Sequence, residues 1–298
     1  MSTTTSGTHP AASSAAPRWM ERHPLLAYFA IAFAGTWALT IPMALSSGFN
    51  LFPMPDAAFL LLFILSIYAG PFLGALVVTR AIEGRAGIRR LFRRAVQWRV
   101  GLRWYLAALF SFLLVWLAAY SLLLNGAPLR GLIANPLLLV TLFLPWLLQG
   151  ILIPSLGEEL GWRGFAFPRL QRQYGPAGGT LILGALQGLW HLPVLFTPLL
   201  GPFSLEKLIT FVLTAIGGVF LYTWVFNNAR GSVWIAILMH ASSNAASTLL
   251  GQVIPPGASF PASFQWLSPD WLNVIIFGLV AILLVILTRG RLGYRPEA

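Results

Sequence analysis

The sequence contains no cysteine. Disulfides, thiolate zinc sites, iron–sulfur clusters and a cysteine nucleophile are excluded together. Charge is the second scarcity. Only 9% of the 298 residues are charged and only eight are acidic, where a soluble domain carries about 25% charge. That argues against a water-soluble globule, and a hydrophobic content of 57% argues the same way. Lysine is nearly missing as well: 18 of the 19 basic residues are Arg. A net charge of +11 often points to nucleic acid. Here the arginines lie in short segments between long apolar runs, so the expected partner is anionic lipid and no nucleic acid.

What is abundant is membrane-length apolar sequence. A bilayer core takes about 20 apolar residues per helix. Eight stretches qualify: 25–46, 57–80, 104–125, 132–156, 178–199, 206–227, 231–251 and 270–288. The expected fold is all-α, a polytopic membrane helical bundle of about eight transmembrane helices. Pro136, Pro145 and Pro154 interrupt the fourth stretch and Pro193 the fifth. Prolines in membrane helices mark kinks where neighbours re-satisfy the backbone. With the N-terminus inside, the inner segments hold 17 basic residues and the outer loops only Arg130 and Lys207. By the positive-inside bias the expectation is a multi-pass protein of the inner (plasma) membrane with both termini cytoplasmic. Residues 1–24 are expected to be a disordered cytoplasmic tail, 25–288 one membrane domain and 289–298 a cytoplasmic C-terminal tail. Residues 86–100 pair Ile88, Leu91, Phe92, Val96 and Val100 with five Arg, the pattern of an amphipathic helix on the inner leaflet.

Ionisable side chains inside spans are costly and default to functional hypotheses. Few exist here. Glu158 and Glu159 end the fourth span, His191 lies in the fifth, and His240 and Asn244 lie in the seventh. His240 and Asn244 are four apart and share a helix face. His240 is about nine residues, roughly 14 Å, from the inner start of its span, and His191 lies at comparable depth. Glu159 and Arg163 are also four apart and read as an ion pair. Each of these residues alone also reads as helix–helix glue. As a set they offer a carboxylate base, two imidazoles and an amide donor. A carboxylate with an imidazole can hold and deprotonate water, and a second imidazole with an amide can donate to a developing oxyanion. These are parts for peptide-bond hydrolysis by water. No G-x-S-x-G motif occurs, and no Asp lies in the interior of a span. Glu158, His191 and His240 are equally a valid zinc set, though the H-E-x-x-H spacing is absent. A non-catalytic scaffold, immunity factor or transporter would use the same polar cavity differently.

Three motifs sharpen this reading. EELGWR (158–163) fits E-E-x-x-x-R, LWHLP surrounds His191, and HASSN (240–244) fits H-x-x-x-N. Glu158 and His191 are 33 residues apart, and His191 and His240 are 49 apart. In order and spacing the stretch at about 140–250 resembles the CAAX prenyl endopeptidase and bacteriocin-processing (CPBP, or Abi) family. The resemblance implies an eight-helix intramembrane endopeptidase of the glutamate type, with metal dependence as the other reading of the same residues. It assigns Glu158 and His191 to water activation and His240 and Asn244 to the oxyanion, with Glu159 and Arg163 supporting the site or touching substrate. It implies no resident cofactor and a peptide or protein substrate, lipidated or not. One position departs from the pattern. Gln187 stands where the second motif commonly has Phe, one turn before His191, placed to hydrogen-bond into the site.

Overall fold

The computed structural model describes residues 18–295. Its helices are α1 (Arg18–Arg22), α2 (Pro24–Ser47), α3 (Asp56–Ile67), α4 (Leu73–Ala95), α5 (Leu102–Leu123) and α6 (Ala127–Ala134), followed by α7 (Leu144–Gly150), α8 (Leu156–Gly161), α9 (Phe167–Trp190), α10 (Leu205–Asn228), α11 (Val233–Val253) and α12 (Pro269–Thr288). Among the described residues there is no strand. The protein is a polytopic helical membrane bundle. Leucines and isoleucines such as Leu114, Leu122, Leu152, Ile286 and Leu287 stand exposed around its outside, whereas Glu158, Glu159 and Arg163 are buried. Lipid, unlike water, accepts exposed apolar side chains and rejects charge.

Among the described residues seven helical runs are long and apolar enough to cross a membrane. The longest, Leu139–Phe196, has 58 residues and folds back on itself at Gly175, whose φ of 72° and ψ of 167° leave the helix. Only glycine takes that conformation without a Cβ clash. The two arms then pack antiparallel: the Trp162 and Trp190 rings are 5.7 Å apart and Arg163 reaches Gln187. The expected fourth and fifth spans are thus one hairpin, and their bounds shift. Residues 132–134 belong to α6, cut off at Asn135 before Pro136, and the ascending arm starts at Leu139. It passes Pro154 without ending. π-helical turns at Leu139–Phe143, Ile151–Ser155 and Trp162–Ala166 absorb the missing proline donors and the close glycine contacts. Such bulges concentrate at functional sites. The returning arm stops at Trp190 rather than at 199. Its residues 176–190 span about 22 Å, short of the ~30 Å hydrocarbon core, which leaves His191 at a helix tip inside the membrane.

Two further expectations are revised at the ends. Within the expected tail, Arg18–Arg22 is helical and the first span begins at Pro24; the rest of that tail, 1–17, lies outside the described residues. Toward the C-terminus, Leu292 is fully buried and its carbonyl accepts from the Asn227 amide, so 289–295 docks on the bundle. The amphipathic helix is present but ends at Ala95. Gly84, with φ 64°, breaks it away from the preceding span.

Two large apolar cores hold the bundle, beside a small third cluster of Phe220, Ala281 and Leu292. One joins Phe112, Leu117, Tyr222, Leu249 and Phe277 from α5, α10, α11 and α12. The other joins Tyr28, Leu160, Trp162, Phe167 and Leu183 from α2, α8, α9 and the last π turn. Small residues let backbones approach: a Cβ on Gly184 would sit 2.7 Å from the Ile216 Cα, and one on Gly150 would sit 3.1 Å from that of Ala241. The polar side chains lie where the two cores meet.

Candidate active site

The short helix α8 sits between two π turns and carries both glutamates, each essentially without solvent exposure. Adjacent helical residues point about 100° apart, so the two carboxylates enter different surroundings. Glu159 Oε1 accepts from Arg163 Nη1 at 2.8 Å and meets His240 Nδ1 at 2.9 Å. The expected pair of Glu159 and Arg163 is therefore present, and it extends across to α11. Glu158 Oε2 accepts instead from the Trp162 indole, at 3.3 Å, and no cation pairs with it among the described residues. Arg163 spends a second hydrogen bond on Gln187 Oε1, 3.1 Å away, and lays its guanidinium over the Tyr222 ring at 4.5 Å. Burying a guanidinium is tolerable only when its donors and its face are occupied in this way.

Gln187 has a second role through its main chain. Its carbonyl lies 2.8 Å from His191 Nδ1. A carbonyl only accepts, so Nδ1 carries the hydrogen and Nε2 presents its lone pair. Trp190 and Phe211 hold the ring at centroid distances of 4.7 and 5.1 Å. The tip of α9 is fixed in turn by paired indoles: Trp37 donates to the Trp190 carbonyl and Trp190 to that of Ala32. Glu158 and His240 both lie within electrostatic reach of the His191 ring.

On α11, Ser243 donates to the His240 carbonyl and pairs with Tyr222 Oη, both at 2.9 Å. With Nδ1 committed to Glu159, His240 has Nε2 left for other work. Glu158, Glu159, Arg163, Gln187, His191 and His240 are thus brought together. Asn244 is not. It stands exposed one turn beyond His240, and among the described residues no hydrogen bond ties its side chain to the network. Among the described residues no group of three His, Asp or Glu side chains is placed as a metal-holding set.

Three participants were not singled out from the sequence. Trp162 is four residues after Glu158, and that i, i+4 spacing was a readable signal. Tyr222 and Ser243 lie in ordinary apolar or small-residue stretches, and only helix packing brings them to Arg163 and His240.

Residues 139–246 match the family of the type II CAAX prenyl endopeptidase Rce1-like. A CAAX prenyl protease 2 from Methanococcus maripaludis is 30% identical over 105 residues, which is 34% of this chain and 39% of that relative. The chain thus matches about two-fifths of the length of the curated relative. Both likenesses are to proteins of the CAAX prenyl endopeptidase kind.

Proposed function

We propose that this protein is an intramembrane endopeptidase of the CAAX prenyl type that uses Glu158 as its base. The observation that carries the proposal is the unequal treatment of two adjacent glutamates. Arg163 and His240 both spend a hydrogen bond on the same oxygen of Glu159, which fixes that carboxylate in place. Glu158, also buried, meets only a neutral indole donor and is the carboxylate left to take a proton from water.

A water held between Glu158 and the His191 Nε2 lone pair loses a proton to Glu158 as its oxygen attacks the peptide carbonyl carbon. The carbonyl oxygen becomes an oxyanion. His240, oriented through Nδ1 by Glu159, donates from a protonated Nε2, and Asn244 turns inward with substrate to give the second donor. Glu158 then returns its proton to the departing amine as the C–N bond breaks. Glu159, Arg163 and Gln187 hold this geometry and take no proton. Neither a metal nor any other cofactor enters these steps. The proposed substrate is a peptide at the membrane surface, and the likeness to a CAAX prenyl protease makes prenylated peptides the first to assay. The proposed location is the inner (plasma) membrane with both termini cytoplasmic. A C-terminal reporter that is active only outside the cell would reverse that orientation.

The test is cleavage of prenylated and unmodified peptides by the reconstituted protein and by Glu158→Gln. Losing a general base costs about 10²–10⁴ in rate, with folding retained. Equal product from both proteins would leave a non-hydrolytic scaffold, immunity factor or transporter as the reading. EDTA should leave the rate unchanged; loss on chelation and recovery with zinc would overturn the metal-free mechanism.

A further inference from the structure

The basic segments of the chain converge at one end of the bundle and enclose a cavity of about 850 Å³. Its walls come from α4, the last π turn with the start of α9, the α10–α11 turn and the C-terminal segment. Six guanidinium groups line it, those of Arg90, Arg94, Arg169, Arg172, Arg230 and Arg295. Among the described residues one carboxylate faces them, Glu83, which Arg90 meets at 2.7 Å and Arg169 also contacts. Arg94 donates to the main-chain carbonyls of Gly164 and Gly231 and so ties three of the walls together. Gln171 adds a buried side-chain amide whose oxygen has no hydrogen-bond partner.

A cleft lined by one sign of charge concentrates counter-ions, and guanidinium forks match phosphate oxygens two at a time. The amide of Gln171 supplies a neutral contact for a polar headgroup. Two sources of phosphate are conceivable, the bilayer and free solute. The rim decides between them. Phe92 stands exposed on the amphipathic helix whose Arg90, Leu91 and Arg94 line the cavity, and Trp98 and Leu102 stand exposed on the segment that leads from it into α5, apolar surface against which an acyl chain would lie. Basic pockets between membrane helices at the headgroup level hold anionic lipid.

We propose that this cavity binds the phosphate headgroup of an anionic phospholipid taken from the surrounding leaflet. The arginines hold the phosphate and the exposed aromatic rim holds the chain. The site is separate from the glutamate–histidine cluster, and its occupant braces α4 against the π turn that carries Arg163.

The experiment uses the full chain purified in a neutral detergent. It is titrated with phosphatidylglycerol, phosphatidylcholine or inorganic phosphate and followed by melting temperature and native mass spectrometry. Phosphatidylglycerol should raise the melting temperature saturably and stay bound at one copy, with no such effect from phosphatidylcholine. The double variant Arg172→Gln, Arg295→Gln should bind phosphatidylglycerol at least tenfold more weakly. The control Arg103→Gln, Arg289→Gln, which removes two arginines outside the cavity, should bind it as the parent does. Equal response to both lipids, equal weakening in both variants, or an unweakened cavity variant would overturn the proposal. An equal response to inorganic phosphate would overturn the lipid source.

Discussion

α11 and α12 both flank α10, yet they are built on opposite plans. α12 is dominated by Leu, Ile and Val, and only 22% of its apolar stretch is buried. α11 carries His240, Ser242, Ser243 and Asn244, and 72% of its stretch is buried. The more polar helix is the interior one. In water the order would be reversed, because there the apolar face hides. In lipid an apolar helix loses nothing by facing outward, and a polar one must find partners inside. α11 finds them in Glu159, Tyr222 and the Leu109 carbonyl, and that search for partners assembles the site.

The sharpest break in this contrast is Arg163→Ala. It strands the buried Glu159 carboxylate, and removing one partner of a buried pair costs about 3–5 kcal/mol. The variant should lose most of its melting temperature margin or fail to accumulate, whereas Glu159→Gln, which keeps an amide oxygen for Arg163 to meet while Gln187 and the Tyr222 ring still hold the guanidinium, should be milder. An Arg163→Ala protein as stable as the parent would show that α11 is not anchored through this pair. Next comes a matched truncation. Leu249 on α11 is fully buried and Leu287 on α12 is 70% exposed. Leu249→Ala should cost about 2–5 kcal/mol and Leu287→Ala within about 0.5 kcal/mol, read by unfolding in one detergent. Equal losses would erase the distinction between the two helices. A third test acts on chemistry. His240→Ala removes the proposed oxyanion donor, and turnover should fall by about 10²–10³, with no effect from Ile282→Ala on the lipid side. The smallest effect is expected from Trp162→Phe, which deletes the one hydrogen bond seen on Glu158 and should cost about 0.5–1.5 kcal/mol. That loss should appear as a small drop in melting temperature, and no drop would show that the indole does not hold Glu158.

Much of this molecule could be read before folding. Membrane spans were visible because lipid demands long apolar runs, and Glu159–Arg163 was visible because helical neighbours four apart must meet. The bounds of the fourth and fifth spans were not. Pro136, Pro154 and Pro193 look alike in sequence, but one separates α6 from the next helix, one is absorbed into a π turn, and one follows a helix tip. The choice depends on whether a neighbour can take up the freed carbonyls, which is a matter of packing. Asn244 shows the same limit: its spacing from His240 put both on one face, yet the face is wide enough for His240 to turn inward and Asn244 to stand exposed.

By itself, then, the sequence determined composition-level facts: a helical bundle in lipid, basic at one end, with a few costly polar residues that have to be used. Periodicity and the expense of buried charge act locally, within a turn or two of helix, and they suffice for that. Which glutamate meets His240 and that six arginines surround one cavity were decided by tertiary structure alone. Those outcomes depend on contacts between residues tens of positions apart, such as Glu159 with His240 and Arg94 with Gly231, and no local rule reaches that far.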